Sequence, residues 1–89
     1  MQGRTERSVV YAVVDGERDY QDNLRPERSD GSIKTVGDFL ALMQHGLTAA
    51  LKEFYEQPGN EEALHMIRKV TALGVQCMEK HGAPARTIS

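Results

Sequence analysis

Apolar residues recur in steps of three and four between positions 36 and 54, at Val36, Phe39, Leu40, Met43, Leu47, Ala50, Leu51 and Phe54. That spacing predicts a helix with one buried stripe. Thr35 and Asp38 mark its start, since a hydroxyl and a carboxylate three residues apart can satisfy free amide groups at a helix N-terminus. A second series, Ala63, Met66, Ile67, Val70, Leu73, Gly74, Cys77 and Met78, follows the turn Gln57-Pro58-Gly59-Asn60. Asn60 is placed to cap this helix, and Glu61 and Glu62 favour the positive end of its dipole. Lys80 and His81 favour the negative end, before Gly82 and Pro84 stop it. The pattern therefore predicts helices over residues 36–56 and 60–81, joined as a long antiparallel hairpin.

Upstream, residues 9–14 read Val-Val-Tyr-Ala-Val-Val, β-branched enough for a strand. A lone strand finds no partner elsewhere in the chain, whereas Val9, Val13, Gly16 and Tyr20 fall on one helical face and can dock on the hairpin. A helix over residues 6–22 is expected. Gly16 weakens it by roughly 1 kcal/mol against Ala, which implies a bend or a close backbone approach. Glu17 flanks the docking face and, where partly buried, requires a basic partner, for which Arg68 or Lys69 would serve. Residues 23–35 form a polar loop punctuated by Pro26 and Asp30-Gly31, long enough to be a binding segment. Residues 83–89 read as a loose tail. Leu64, Thr71 and Val75 make a second apolar strip on the last helix, so that helix needs a neighbour on one side and another subunit on the other. The expected fold is all-α, a single three-helix domain over residues 1–89, homo-oligomeric.

Size and charge narrow the roles. With 89 residues, a chain buries only roughly 60–65% of its unfolded surface, and a second copy is a natural source of further burial. A net charge of −2 with 27% charged residues supplies no field to attract duplex nucleic acid or an acidic membrane. Cys77 is the only cysteine and sits on the apolar side of the last helix, as a small hydrophobe. No apolar run approaches the ~20 residues of a membrane span, and the opening residues lack the apolar centre of a signal peptide. A cytoplasmic protein is expected.

The chemistry-bearing residues are few. Asp15, Asp19 and Asp22 fall at i, i+4 and i+7 beside Arg18, a row that is either a solvated acidic face or a weak Mg²⁺ candidate. His45, His65 and His81 lack the spacing of a zinc pair. Glu62 and His65 have the spacing of half a di-iron motif, but the second helix offers only Asp38 and Glu53 to complete one. There is no glycine-rich phosphate loop after a strand, no nucleophile elbow and no triad partner for Cys77. Basic residues gather instead at Arg18, Arg25, Arg28, Lys34 and Arg86, groups suited to phosphate oxygens, and Tyr20, like Tyr11 and Tyr55, can stack on a base.

The strings Asp15-Gly16-Glu17-Arg18-Asp19-Tyr20-Gln21-Asp22, Thr35-Val36-Gly37-Asp38-Phe39, Ile67-Arg68-Lys69-Val70-Thr71-Ala72-Leu73-Gly74-Val75 and Cys77-Met78-Glu79-Lys80-His81-Gly82-Ala83-Pro84 resemble a group of short phage proteins described as MazG-like. The likeness spans roughly residues 9–86 and reaches more distantly to the all-α nucleoside triphosphate pyrophosphohydrolases. That superfamily holds Mg²⁺ with a Glu-Glu-x-x-Glu helix and a Glu-x-x-Asp helix. Here the first motif falls on Gln44, His45 and Thr48, and the third helix has no Glu-x-x-Asp. The resemblance therefore implies a helical, oligomeric scaffold with nucleotide-sized clefts and without the catalytic carboxylates. The expected function is a non-catalytic phage protein that binds a nucleotide-derived small molecule through Arg18, Tyr20, Arg25, Arg28, Lys34 and Arg86, with no cofactor. In a phage it would act as an anti-defence sponge for host immune signalling nucleotides. Two alternatives stand beside it: a Mg²⁺-dependent pyrophosphohydrolase using Asp15, Glu17, Asp19 and Asp22, and an adaptor or inhibitor that docks a host protein through its second apolar strip.

Overall fold

The computed structural model describes residues 5–24, 34–56 and 59–87. Among them are three α-helices and no strand: α1 Arg7–Leu24, α2 Val36–Glu56 and α3 Glu61–His81. The valine-rich run at residues 9–14 is helical, consistent with the absence of any strand to pair with it.

Helix α3 is the centre of the molecule. It packs on both other helices, which make no close backbone approach to each other. Helices α2 and α3 run antiparallel, because Phe39 meets His81, Met43 meets Gly74 and Gly46 meets Val70. The buried apolar residues are Phe39, Ala50, Val70 and Ala72. Phe39 alone is both large and fully enclosed among the described residues. The His81 ring stands edge-on to it at 6.2 Å, and the Lys34 ammonium lies 5.9 Å from its centroid. His81 Nε2 in turn meets the Lys34 carbonyl at 2.7 Å. A carbonyl can only accept, so that ring nitrogen carries the proton and donates it. The last turn of α3 is thereby tied to the residue that leads into α2.

The helix starts differ in chemistry. At α2 the Thr35 amide donates to Asp38 Oδ2 at 2.9 Å and the Asp38 amide donates to Thr35 Oγ1 at 3.1 Å, the reciprocal arrangement of a capping box. At α3 Asn60 makes no side-chain cap, and its carbonyl simply accepts the first helical bond, from the Leu64 amide. The expected Asn60 cap is thus replaced by backbone alone. Gly82 ends α3 with φ of +112° while its amide still reaches Met78 O at 2.9 Å, a backbone setting that disfavours any side chain.

Two expected docking faces are rotated. Of the apolar series on α2, Phe39 and Ala50 are buried and Met43 is half-buried, but Val36, Leu40, Leu47, Leu51 and Phe54 remain exposed. Gly46 explains the turn. A Cβ built on it would lie 2.6 Å from Val70 Cγ2, so α3 seats where α2 is narrowest, and the contact line follows Phe39, Gly46 and Ala50 instead of the bulkier leucines. Likewise α1 meets α3 through Val14, Glu17, Arg18 and Gln21, leaving Val9, Val13 and Tyr20 exposed. At Gly16 an added Cβ would find no neighbour within 4 Å, so no other backbone approaches there.

These two glycines should respond oppositely to alanine. Gly46→Ala gains helix propensity of about 1 kcal/mol but forces Val70 aside, for a net loss of about 1–2 kcal/mol. Val70→Ala in the same chain should recover part of that loss. Gly16→Ala should stabilise by about 0.5–1 kcal/mol. Urea unfolding followed by circular dichroism reads all three, and equal effects at the two glycines would refute the close contact at Gly46.

Candidate ligand cleft

Helix α1 carries little that is both apolar and buried; its two buried residues are Glu17 and Arg18. Each finds its opposite on α3. Arg68 Nε donates to Glu17 Oε1 at 2.8 Å, and Arg18 Nε donates to Glu79 Oε2 at 2.6 Å. Arg18 also reaches Asp22 Oδ1 at 3.0 Å on its own helix. The Glu79 carboxylate raises the Arg18 guanidinium above its ordinary range, burial pulls the other way, and Asp22 adds to the rise. Because a raised base is stabilised while protonated, this contribution is complete throughout the neutral range and is lost only in strong alkali. The Gln21 amide adds a bond from Nε2 to the Lys69 carbonyl at 3.3 Å. No side-chain nitrogen or oxygen buried among the described residues lacks a partner, so α1 is docked by a satisfied polar clasp.

With α1 and α2 on two sides of α3, a cleft of about 380 Å³ opens between them. Its apolar lining comes from Leu24, Leu42, Met66 and Leu73. Tyr20 and Gln21 stand on the α1 wall, Lys34 and His45 on the α2 side, and Lys69 and Gln76 rise from the floor. Glu17 also borders it, but Arg68 neutralises that carboxylate, so Lys34 and Lys69 set the sign of the cleft. Lys69 makes no ion pair among the described residues. The cleft is thus partly apolar and, among the described residues, carries the ammonium groups of Lys34 and Lys69, on a chain of net charge −2.

Comparison with protein families, characterised proteins and solved structures returns no match.

The sequence-derived site residues divide between this cleft and elsewhere. Tyr20 and Lys34 line it. Arg18 lies outside its lining, held by Glu79 and Asp22. Arg86 is exposed after α3 and also does not line it. Arg25 and Arg28 fall outside the described residues. Lys69, His45, Gln21 and Gln76 are additions that pattern alone did not single out. Lys69, Leu73 and Gln76 do share one side of α3 by their spacing, yet nothing in that spacing says that α1 leans over it.

The positions for metal chemistry do not converge. Asp15 and Asp19 are exposed and Asp22 is engaged by Arg18. Gln44 and Thr48 face solvent while His45 borders the cleft. No group of three His, Cys, Asp or Glu side chains among the described residues could hold a metal ion. An amide, an imidazole and a hydroxyl are a poor match for Mg²⁺, which favours carboxylate oxygen. The residues therefore do not fit the ion that the MazG-like resemblance implies.

The clasp predicts an asymmetric stability pattern. The Glu17 side chain is 8% exposed, so Arg68→Ala leaves a nearly buried carboxylate without its partner and should cost about 2–4 kcal/mol. Arg68→Ala combined with Glu17→Gln should cost less than Arg68→Ala alone, since the stranded charge is gone. A double-mutant cycle by urea unfolding measures the coupling, and strictly additive losses would rule the pair out as the α1 anchor.

Proposed function

We propose that this protein is a small, non-catalytic binder, assembled from identical helical copies, that takes up a nucleotide-derived anion in the cleft between α1 and α2. The observation that carries this reading is the pairing of Lys34 and Lys69 across a partly apolar cleft whose one carboxylate among the described residues, Glu17, is already paired with Arg68. Ammonium groups at the rim attract phosphate from outside, and desolvation by the apolar walls strengthens that attraction. Tyr20 offers a face on which a base can stack, while Gln76 and His45 present groups suited to its polar edges. The cleft volume of about 380 Å³ falls within the ~300–1,000 Å³ of typical small-molecule sites.

The MazG-like resemblance gives this reading its setting. A scaffold related to nucleotide pyrophosphohydrolases, with Gln44, His45 and Thr48 where those enzymes hold Mg²⁺ by carboxylates, keeps a nucleotide-sized cleft and loses the means to cut what enters. In a phage such a protein would sequester the signalling nucleotides of a host immune response. Arg86, exposed after α3, is a further cation for a phosphate-rich ligand in this reading, as are Arg25 and Arg28, which lie outside the described residues.

The test is incubation with a panel of nucleoside triphosphates, cyclic dinucleotides and ADP-ribose in the presence of Mg²⁺, then chromatography of the recovered ligand. One class should be retained intact. Lys34→Ala and Lys69→Ala should each weaken it about 10-fold, and added salt should weaken it further. Release of a monophosphate with pyrophosphate would replace this reading with the hydrolase, and retention of none would remove the ligand altogether.

A further inference from the structure

The peptide unit between Lys34 and Thr35 is held at both edges by side chains from different helices. Its N–H donates to Asp38 Oδ2 at 2.9 Å, within the start of α2, and its carbonyl accepts from His81 Nε2 at 2.7 Å, in the last turn of α3. The six atoms of a peptide unit are coplanar and include the Cα of its first residue. Bonds at opposite edges of that plane therefore fix where the Lys34 Cα sits, whereas with either bond alone the plane can swing about the one that remains. From this Cα the side chain carries its ammonium to 5.9 Å from the Phe39 ring centroid, a cation–π distance, and lines the cleft. The His81 ring also stands edge-on to Phe39 at 6.2 Å. One imidazole thus touches both the backbone that carries Lys34 and the ring beside its ammonium.

We propose that His81 is a positioning residue for the cleft, holding the Lys34 ammonium in place for an incoming anion. The inference rests on the anion-binding reading above and adds to it a residue that does not itself line the cleft. The bond from His81 lies at the surface, where water can serve a carbonyl as well as an imidazole does. Satisfying the carbonyl therefore does not require His81, and what the imidazole supplies is place. Placement matters for a lysine, whose ammonium is a point charge on a flexible four-carbon stem. Immobilising such a side chain costs affinity when it is left to the ligand, and a backbone fixed beforehand removes part of that cost. The tether also refers both ammonium groups of the cleft to one helix, Lys69 by its position in α3 and Lys34 through His81. Their separation, and with it the anion they can share, is then set by α3.

Two variants of the full chain test it. His81→Phe keeps a ring beside Phe39 and removes the donor, whereas His81→Gln restores an N–H at about the reach of Nε2. The first readout is the ¹³C signal of the Lys34 ε-methylene without any anion, assigned as the signal lost in Lys34→Arg. It should move to the position of a solvated lysine in His81→Phe and stay near its original position in His81→Gln. The second readout is titration with inorganic pyrophosphate. His81→Phe should weaken binding roughly 3- to 10-fold, His81→Gln should recover most of the loss, and in a Lys34→Ala background His81→Phe should weaken it no further. An unmoved Lys34 signal, no rescue by His81→Gln, or an equal loss of affinity with and without Lys34 would overturn the inference. Should His81→Phe not fold, the unmodified protein decides: a His81 Nε2 proton that exchanges more slowly than that of free imidazole is expected, and exchange at the free rate refutes the tether. Pyrophosphate that does not bind the unmodified protein counts against the anion-binding reading alone, because the spectrum without anion still decides where the Lys34 ammonium is held.

Discussion

Two ion pairs of opposite sense, Glu17 with Arg68 and Arg18 with Glu79, are what hold α1 on α3, and the cleft exists only because α1 is held there. A helix of Val-Val-Tyr-Ala-Val-Val composition could have docked through its valines. It docks instead through its charged middle, which leaves Tyr20 and Leu24 free to form a wall. Crossing the charges, acid on α1 to base on α3 and base on α1 to acid on α3, sets the register more narrowly than an apolar stripe would, because a slip brings like charges together. The same clasp neutralises Glu17 at the edge of the cleft and so leaves Lys34 and Lys69 to define its polarity.

The contact between α2 and α3 is governed by space. Gly46 admits Val70, Gly74 receives Met43 with an added Cβ only 3.3 Å from Met43 Cε, and Phe39 closes the end beneath His81. Small residues facing large ones bring the helix axes near, at the expense of turning the leucines of α2 outward. That rotation separates two environments on either side of one contact line: the partly apolar cleft with Lys34 and Lys69, and the exposed leucines of α2.

Much of the local structure was legible in the residues. The capping pair Thr35 and Asp38 sits where a hydroxyl and an acid three apart should sit, Gly82 stops α3 at positive φ, and Glu17 takes the Arg68 partner that a partly buried acid requires. These are short-range or pairwise demands, satisfied by whichever complementary group lies within reach. The candidate site was less legible. Tyr20 and Lys34 lie in the cleft, but Lys69, His45 and Gln76 enter it only because α1 and α2 flank α3, and Arg18, attractive as a phosphate ligand, is occupied by Glu79 and Asp22.

Helix existence and approximate limits follow from periodicity and capping, since those depend on the backbone and on residues three or four apart. Which of two neighbouring faces each helix buries does not. Val36, Leu40, Leu47, Leu51 and Phe54 satisfy the same three-and-four spacing as the true contact line, and Val9 and Val13 do so on α1. Choosing between faces some 100° apart depends on how closely two backbones approach and which charges meet, a matter of Gly46 against Val70 and of Glu17 against Arg68. Those are tertiary facts, and they decide where the cleft opens and which apolar surface is left uncovered.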